Sequence, residues 1–489
     1  MFNFKRKLIL NFSVIIIFLL IFSLSLTSCD IIAKFLQKKI LETESVAASS
    51  EIDNEGKDKD VDMLPADSSK DNSADVIDVA PEVGKPANDI NGFKVAYFDV
   101  GSSLESDHFE HRVANVFVVN PDGSDKKLIY SDIDEKYDLG FIYSTSPDGK
   151  KVLGMLTEGG RGLYSALCVV NIENGSLKKL VEFDYTRDEA GVELGIYGTP
   201  VWSNDSLKVA YELISNPETD PFSGNFRDAG IFIVNVDTAE SYEVEIEAAG
   251  ASARSTLFLN PVAFSPDDET VFIVSHPYYE KIEEGEVMGY YTQNDTLYSV
   301  GVGGGNPARI LGVEDFGGIG PEIITSFDNF KIIRNESKLL FQVLGDFEED
   351  GDLWVCSFDG SGLEKITEDE QLREQQPCVY EAGDSTGKVA YIGALRYGTI
   401  GYQLPSGGVF IASVDGTGTE KLTDYELGAS NPIFSTDGKF LTFLFSNFDE
   451  NLTYVTDNVV RVYDFSNGNI SEVKAEGYIF DIAGWVIAD

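Results

Sequence analysis

Residues 141–156 read FIYSTSPDGKKVLGML: an apolar and β-branched run, a Ser-Pro-Asp-Gly turn, and a second run of the same kind. Tight turns favour these residues because Pro fixes φ and Gly accepts a positive φ. The stretch therefore predicts a β-hairpin with its turn at residues 146–149. Related stretches begin at Pro200, Pro261, Phe330, Pro377 and Pro432.

A second kind of hairpin alternates with the first. Its clearest example is NVFVVNPDGSDKKLIY at 115–130, where an Asp-Gly turn separates two strand-like runs. Copies of it begin at Ala166, Gly230, Thr296, Asp352, Gly408 and Val459. One hairpin of each kind makes four strands about every 50 to 65 residues, which is the pattern of a β-propeller blade.

The second kind of hairpin occurs seven times and the first kind only six, so one hairpin of the second kind has no complete hairpin of the first kind to form a blade with. Its missing strands stand at the two ends. NGFKVAYFDV at 91–100 reads as a second strand and DIAGWVIAD at 481–489 as a first strand, with Trp485 matching Phe434 of a complete copy. We therefore predict an all-β, seven-bladed β-propeller with four-stranded antiparallel blades, the first blade closed by the C-terminal strand. A ring of six or eight blades fits the repeats less well.

The turn motif also carries a family resemblance. SPDGK at 146–150 and SPD at 265–267 resemble the WD40-like (PD40) repeats of TolB-type β-propellers, and the resemblance covers residues 92–489. It implies a fold and not a function, because similar blades serve scaffolds, receptors, lyases and oligopeptidases. TolB-type proteins have six blades, a folded N-terminal domain and no lipid anchor. The chain departs from them on all three points, so their partner, the peptidoglycan-associated lipoprotein, is not carried over.

The N-terminal residues predict export and lipidation. Basic residues at 5–7 precede an apolar run at 8–26, which ends in Leu-Thr-Ser before Cys29. This order resembles a bacterial lipoprotein signal, with 1–28 as the signal peptide and Cys29 as the lipidated residue. An uncleaved membrane helix is the alternative. Both interpretations place the rest of the chain at the cell envelope, on the outer side of the cytoplasmic membrane, facing the periplasm or the exterior.

Residues 29–91 read as a lipidated Cys followed by an acidic tether. Phe, Tyr and Trp are absent from 42–91, which therefore cannot bury enough apolar surface to fold, while residues 30–40 could form a short helix on the membrane. The formal net charge of the chain is −45. Such a charge argues against nucleic acid and anionic lipid headgroups as partners of the propeller at 92–489, which we expect to be monomeric.

The long connections between strands are predicted to share one face of the ring. Turns joining strands one to two and three to four lie on one face, and all other connections lie on the opposite face. Insertions on that opposite face occupy residues 101–114, 156–165, 214–229, 276–295, 394–407 and 446–458. Aromatic and Arg side chains in such loops suit sugars, carboxylates or peptides. The predicted ligand-binding residues are Arg161, Tyr164, Phe226, Arg227, Tyr279, Tyr290, Arg396, Tyr397 and Phe448.

A divalent metal is the alternative ligand of that face. His108, His111 and His276 fall on it, and some oligogalacturonate lyase propellers resemble this plan, with a histidine-bound metal. Solvated loop histidines explain the same pattern. The acidic stretch 346–352 begins like a Ca²⁺ loop, but Ser357 stands where a bidentate Glu is needed, so an acidic hairpin is the preferred interpretation. We expect no cofactor, with Ca²⁺ or another divalent ion as the alternative.

Catalysis by a serine is not expected. Gly-Asp-Ser385-Thr-Gly matches the nucleophile-elbow pattern, but that motif needs a strand-to-helix turn and these residues occupy a hairpin turn. The thiols of Cys168, Cys356 and Cys378 are predicted to be small core groups and not a disulfide framework. The sequence therefore predicts a non-catalytic binding or scaffold module for a protein, peptide or glycan. A metal-dependent polysaccharide lyase is the alternative.

Overall fold

In a computed structural model of the chain, the residues described are 92–100, 114–132, 137–158, 164–182, 193–216, 227–246, 256–283, 286–292, 295–316, 324–345, 351–367, 372–381, 387–395, 406–423, 426–448, 455–473 and 478–487. The predicted signal peptide, Cys29 and the tether lie outside these residues. Within these ranges no helix has the length and apolar character needed to cross a membrane.

The described strands form seven antiparallel sheets, written here from the innermost to the outermost strand. Blade 1 contains β30 (Tyr478–Ile487), β1 (Phe93–Val100), β2 (Ala114–Val119) and β3 (Lys127–Ser131). Blade 2 contains β4 (Tyr137–Thr145), β5 (Lys151–Glu158), β6 (Tyr164–Asn171) and β7 (Leu177–Glu182). Blade 3 contains β8 (Glu193–Trp202), β9 (Lys208–Asn216), β10 (Arg227–Asn235) and β11 (Ser241–Val244).

The other four blades follow the same plan. Blade 4 contains β12 (Thr256–Phe264), β13 (Thr270–Glu283), β15 (Thr296–Gly301) and β16 (Ala308–Gly312), with β14 (Glu286–Thr292) beside β13 and a 3₁₀ turn at Val313–Asp315. Blade 5 contains β17 (Ile324–Ile333), β18 (Lys338–Gly345), β19 (Gly351–Ser357) and β20 (Glu364–Lys365). Blade 6 contains β21 (Leu372–Tyr380), β22 (Lys388–Leu395), β23 (Ser406–Ser413) and β24 (Glu420–Lys421), with β25 (Glu426–Leu427) beside β23. Blade 7 contains β26 (Ala429–Phe434), β27 (Phe440–Phe448), β28 (Val455–Asp464) and β29 (Asn469–Val473).

The predicted seven-bladed ring is confirmed, and so is its closure by the last strand. β30 pairs antiparallel with β1, with Phe93 opposite Ile487 and Val95 opposite Trp485. The indole of Trp485 stacks on Phe440 of blade 7 at 5.8 Å between ring centroids, and its Nε1–H donates to the carbonyl of Ile433 at 3.0 Å. The last strand thus completes blade 1 and also packs against blade 7.

One predicted insertion takes a different form. Residues 276–295 were expected to be a long loop, but β13 continues to Glu283 and pairs with β14. Tyr279 lies opposite Tyr291, and aromatic residues of this kind favour a pleated strand. The insertion is therefore largely an extension of a blade 4 hairpin and not an irregular loop.

Apolar side chains fill the space between neighbouring blades. The predicted burial of the three cysteines is confirmed, since Cys168 and Cys356 are fully buried and Cys378 nearly so, and all three thiols are free. Burial raises the pKa of each thiol to about 12. Neutral thiols of this kind contribute to packing as small hydrophobic groups.

The turns between the first and second strands, together with those between the third and fourth strands, form what we call the turn face. In the first hairpin the Ser146 hydroxyl donates to Asp148 Oδ1 at 2.6 Å, which holds the turn in place. The same bond recurs in the pairs Ser203–Asp205, Ser265–Asp267 and Ser435–Asp437. Gly438 in the last of these has φ of +66°, and a Cβ atom there would overlap the Tyr380 ring.

Hydrogen bonds also join the turns of neighbouring blades. They run from Asp148 N–H to Ser206 Oγ at 3.0 Å, from Asn204 N–H to Asp268 Oδ1 at 2.7 Å, and from Tyr380 O–H to the Asp437 carbonyl at 2.9 Å. Polar side chains of the turn face are thus used to hold the ring together.

Candidate functional site

We call the face opposite the turns the connection face, because strands two and three, and successive blades, are joined there. Tyr164 and Arg227 begin β6 and β10, Phe448 ends β27, and Tyr279 and Tyr290 lie in β13 and β14. The backbone of these residues is thus at or near the connection face, while their side chains are outside the described part. The remaining predicted residues also lie outside it: Arg161, Phe226, Arg396, Tyr397, His108 and His111. Their role in ligand binding stays a prediction.

Each of the seven described innermost strands carries a β-bulge against its neighbour. In blades 5, 6 and 7 the bulge places Asn329, Gln376 and Asn431 at φ of 55°, 52° and 50°. Bulges redirect side chains. Asn431 accordingly donates through its backbone N–H to Gln376 Oε1 at 2.8 Å and through Nδ2 to Asp481 Oδ1 at 2.9 Å. These bonds link blades 6, 7 and 1 along the inner strands.

Blade 3 carries a buried carboxylate in the middle of its second strand. Glu212 is fully buried, and its Oε1 accepts the N–H of Leu259 in blade 4 at 2.6 Å. The register places apolar residues at the equivalent position of neighbouring blades, Met155 in β5 and Val274 in β13. A carboxylate in this place is costly to bury unless its oxygens are hydrogen-bonded.

Blade 4 adds a histidine held by a second carboxylate. Asp295 is fully buried, and its Oδ2 lies 2.8 Å from His276 Nδ1 and accepts the N–H of Phe327 in blade 5 at 3.0 Å. The His276 side chain is 19% exposed. Donation from Nδ1–H to the carboxylate fixes the ring and leaves Nε2 as the nitrogen that can accept a proton or bind a ligand.

Glu212, Asn260, His276 and Asp295 are together called the blade 3–5 polar cluster. Three of its buried oxygens have no hydrogen-bond partner among the described residues: Glu212 Oε2, Asn260 Oδ1 and Asp295 Oδ1. Burial raises the pKa of Glu212 to about 7, although the Leu259 N–H and the nearby His276 act in the opposite direction. The cluster therefore offers hydrogen-bond acceptors that no donor in the described chain occupies.

A glycine makes room for Asn260. Gly198 in β8 has φ of +73°, and a Cβ atom there would overlap the Asn260 side-chain oxygen. Only glycine adopts this backbone conformation without strain and leaves the space that Asn260 occupies. Blades 3 and 4 therefore approach each other closely at this point.

Of the predicted metal ligands, His276 lies in the described part of the chain, while His108 and His111 lie outside it. No group of three or more His, Cys, Asp or Glu side chains within the described ranges could hold a metal ion. In the acidic stretch 346–352, Asp352 forms an ion pair with Lys365 Nζ at 2.8 Å. Residues 346–350 and Ser385 lie outside the described residues.

Glu212, Asn260 and Asp295 were not among the residues predicted from the sequence. A signal for Glu212 was present, because it is the one charged residue in the otherwise apolar run VAYEL at 209–213. Asp295 and Asn260 stand among ordinary turn and strand residues. Asp295 contacts His276 of its own blade and Phe327 of blade 5, and Asn260 lies against Gly198 of blade 3. No local pattern could have singled them out.

No family model matches the chain, and no curated protein matches its sequence. Among similar solved structures, an oligogalacturonate lyase in complex with manganese is 14% identical over 79% of this chain and 86% of its own, with a TM-score of 0.47. TolB from Acinetobacter baumannii is 11% identical over 78% and 80%, with a TM-score of 0.39. Prolyl oligopeptidase B from Galerina marginata is 13% identical over 79% and 52%, with a TM-score of 0.49. TolB is thus among the structural neighbours. Similarity at this level concerns the fold alone.

Proposed function

We propose that this chain is a lipid-anchored β-propeller of the cell envelope that binds a protein, peptide or glycan on its connection face, without catalysing a reaction. The basic, apolar and small residues before Cys29 support the anchor. The net charge of −45 supports a cationic or neutral ligand and not a nucleic acid. The lipid would be the contact with the membrane, and the propeller itself would act as a monomer.

The observation that carries the proposal is the difference between the two faces. Many polar side chains of the turn face form hydrogen bonds within and between blades, such as Ser146 to Asp148 and Asn204 to Asp268. At the blade 3–5 polar cluster, towards the connection face, buried acceptors such as Glu212 Oε2 lack partners in the described chain. Unpaired buried acceptors cost free energy that a bound donor recovers. This asymmetry favours the connection face as the binding surface.

The proposal can be tested by capture from cell envelopes. The full chain, purified in detergent, is incubated with solubilised envelope, and retained proteins and glycans are identified by mass spectrometry. We expect one class of ligand to be retained, and replacement of Arg161, Arg227 and Arg396 together by Gln to abolish its retention. Undiminished retention by the triple variant would contradict binding through this face.

One observation favours a second candidate, a metal-dependent polysaccharide lyase. Asp295 orients His276 so that Nε2 is available, as carboxylates do for metal-binding histidines. The remaining ligands would come from residues such as His108 and His111. Elemental analysis of the purified full chain tests this candidate, since a stoichiometric metal that is lost in both His276→Ala and His108→Ala would favour the lyase.

A further inference from the structure

We propose that Lys331, on the inner wall of the ring, forms a reversible covalent bond with small aldehydes, such as the open-chain form of a short reducing sugar. The residue belongs to β17, the innermost strand of blade 5, and not to the loops of the connection face. The inference therefore goes beyond the proposed function and does not depend on it.

Blade 5 places a basic residue where the other blades have none. The strand register pairs Lys331 of β17 with Leu340 of β18. The equivalent residues of blades 1, 2, 3, 4, 6 and 7 are, in that order, Gly484, Ser144, Val201, Ala263, Cys378 and Ile433. None of these six residues is basic, so the repeated fold does not require an amine at this position.

Lys331 meets solvent although its strand is the innermost of its blade. The ladder between β17 and β18 has a bulge between Asp328 and Lys331, and bulges redirect side chains. Lys331 and Asp328 are exposed, whereas Phe330 beside Lys331 is buried. The innermost strands of a β-propeller surround its central channel. We therefore place the exposed part of Lys331 at this channel, where a small molecule can reach it.

The Lys331 amine lacks the contacts that would keep it charged. Among the residues that the structure describes, its side chain has no hydrogen bond and no ion pair. Loss of hydration lowers the pKa of Lys331, while the Cys378 thiol of blade 6 and the Asp328 carboxylate act in the opposite direction. A larger fraction of this amine is then neutral at pH 7 than in an ordinary lysine.

The neutral amine is the form that reacts with a carbonyl group. The Lys331 nitrogen attacks the aldehyde carbon and forms a C–N bond, and a proton passes from the nitrogen to the former carbonyl oxygen. Loss of that oxygen as water leaves an imine, and addition of water reverses the reaction. No oxidant, reductant or further reactant is needed, so the bond is reversible.

The test compares the reactivity of Lys331 and Lys439 in the full chain, purified in detergent. Glyceraldehyde is added at pH 7 with cyanoborohydride, which reduces an imine to a stable secondary amine, and labelled peptides are quantified by mass spectrometry. Lys439 is the matched control, because its side chain is 71% exposed but forms an ion pair with Asp437 at 3.0 Å. Glycerol, which has no carbonyl group, replaces glyceraldehyde in the blank.

We expect Lys331 to be labelled at least about fivefold faster than Lys439 at pH 7, and the ratio of the two rates to fall at pH 10, where ordinary lysines also begin to lose their protons. Asp328→Asn should speed the labelling of Lys331, because it removes a charge that favours the protonated amine. Labelling of Lys331 no faster than that of Lys439, a ratio that does not change with pH, or unchanged or slower labelling in Asp328→Asn would overturn the assignment.

Discussion

Glu212 combines full burial with an ionisable side chain, so the stability of the protein depends on pH through it. Its pKa rises from the ordinary 4.5 to about 7 in the folded chain. The folded state therefore holds the proton more tightly than the unfolded state does. Stability falls as pH increases from about 4.5 to about 7, and the loss is complete above that range, at most about 3 kcal/mol.

Glu212→Gln is expected to remove this dependence, because an amide has no proton to lose and can still accept the Leu259 N–H. The melting temperature of the variant should match that of the wild type near pH 4.5 and exceed it at pH 8. Thermal unfolding followed by circular dichroism at both pH values checks this. A variant less stable than the wild type at pH 8 would show that the carboxylate is stabilised in a way that the buried geometry does not indicate.

The three described cysteines are expected to resist alkylation in the native chain. Burial keeps Cys168, Cys356 and Cys378 away from reagent, and their pKa of about 12 leaves almost no thiolate at pH 8. Treatment with iodoacetamide should leave them unmodified in buffer and modify them in strong denaturant, as read by peptide mass spectrometry. Rapid labelling of any one of them in buffer would contradict its burial.

Individual residues differ in how far the sequence could predict them. Ser146 and Asp148 stand two residues apart in a turn motif, so their contact is local and follows from the motif. The contact between Glu212 and the Leu259 N–H spans 47 residues and two blades. Long-range pairing of this kind depends on how strands of different repeats are stacked, which no periodicity in the chain specifies.

The first-kind hairpin turn of blade 7 has Gly438 at a left-handed position where space is short, whereas the equivalent positions of blades 3 and 4 hold Ser206 and Asp268. Gly438→Ala is expected to destabilise the protein by about 2 to 3 kcal/mol, because a methyl group would both strain φ of +66° and overlap the Tyr380 ring. Gly418→Ala is the control, since φ is +69° there but nothing lies within 4 Å of the added atom. Its cost should be the strain alone, about 1 kcal/mol. Melting temperatures of the two variants, compared with the wild type, test the difference; equal losses would contradict it.

Strands and tight turns were predicted well, because alternating and β-branched runs between Asp-Gly turns are local signals. The extension of β13 beyond residue 276 was not. Its Tyr and Glu residues resemble a polar insertion, and its pairing with β14 becomes visible only once the two segments are set side by side. The bulges of the innermost strands were also missed, since they follow from the register between strands and not from residue type alone.

Closure of the ring places a large share of its stability on the last strand. Trp485 is 3% exposed and joins blade 1 to blade 7 through the Phe440 ring and the Ile433 carbonyl. Trp485→Ala is expected to destabilise the protein by about 3 to 5 kcal/mol by leaving a cavity at this junction. Trp485→Phe should cost less, because stacking is kept and only the hydrogen bond is lost. Chemical unfolding of both variants distinguishes these effects, and equal losses would assign the stability to the hydrogen bond.

Blade number could be predicted because the count of repeats left one hairpin unmatched and the two ends supplied it. The pairing of Val95 with Trp485 bears out that reasoning. Ligand identity could not be predicted in the same way. Repeats encode what blades share and carry no information on the positions where blades differ, such as Glu212 of blade 3 where blade 2 has Met155.

The pairing of β1 with β30 also decides how the ring would bear a mechanical load. Phe93 is the first residue of β1 and Ile487 the last residue of β30, and the two lie opposite each other at one end of this antiparallel pair. A pull between these two residues would peel the hydrogen bonds apart one at a time. A pull on Phe93 against a ligand held at the opposite face would instead shear β1 between β30 and β2, so that both ladders resist together. A ring that is held at Phe93 and pulled through a ligand on the connection face is thus loaded along β1, the direction in which the pairing of β1 with β30 resists force best.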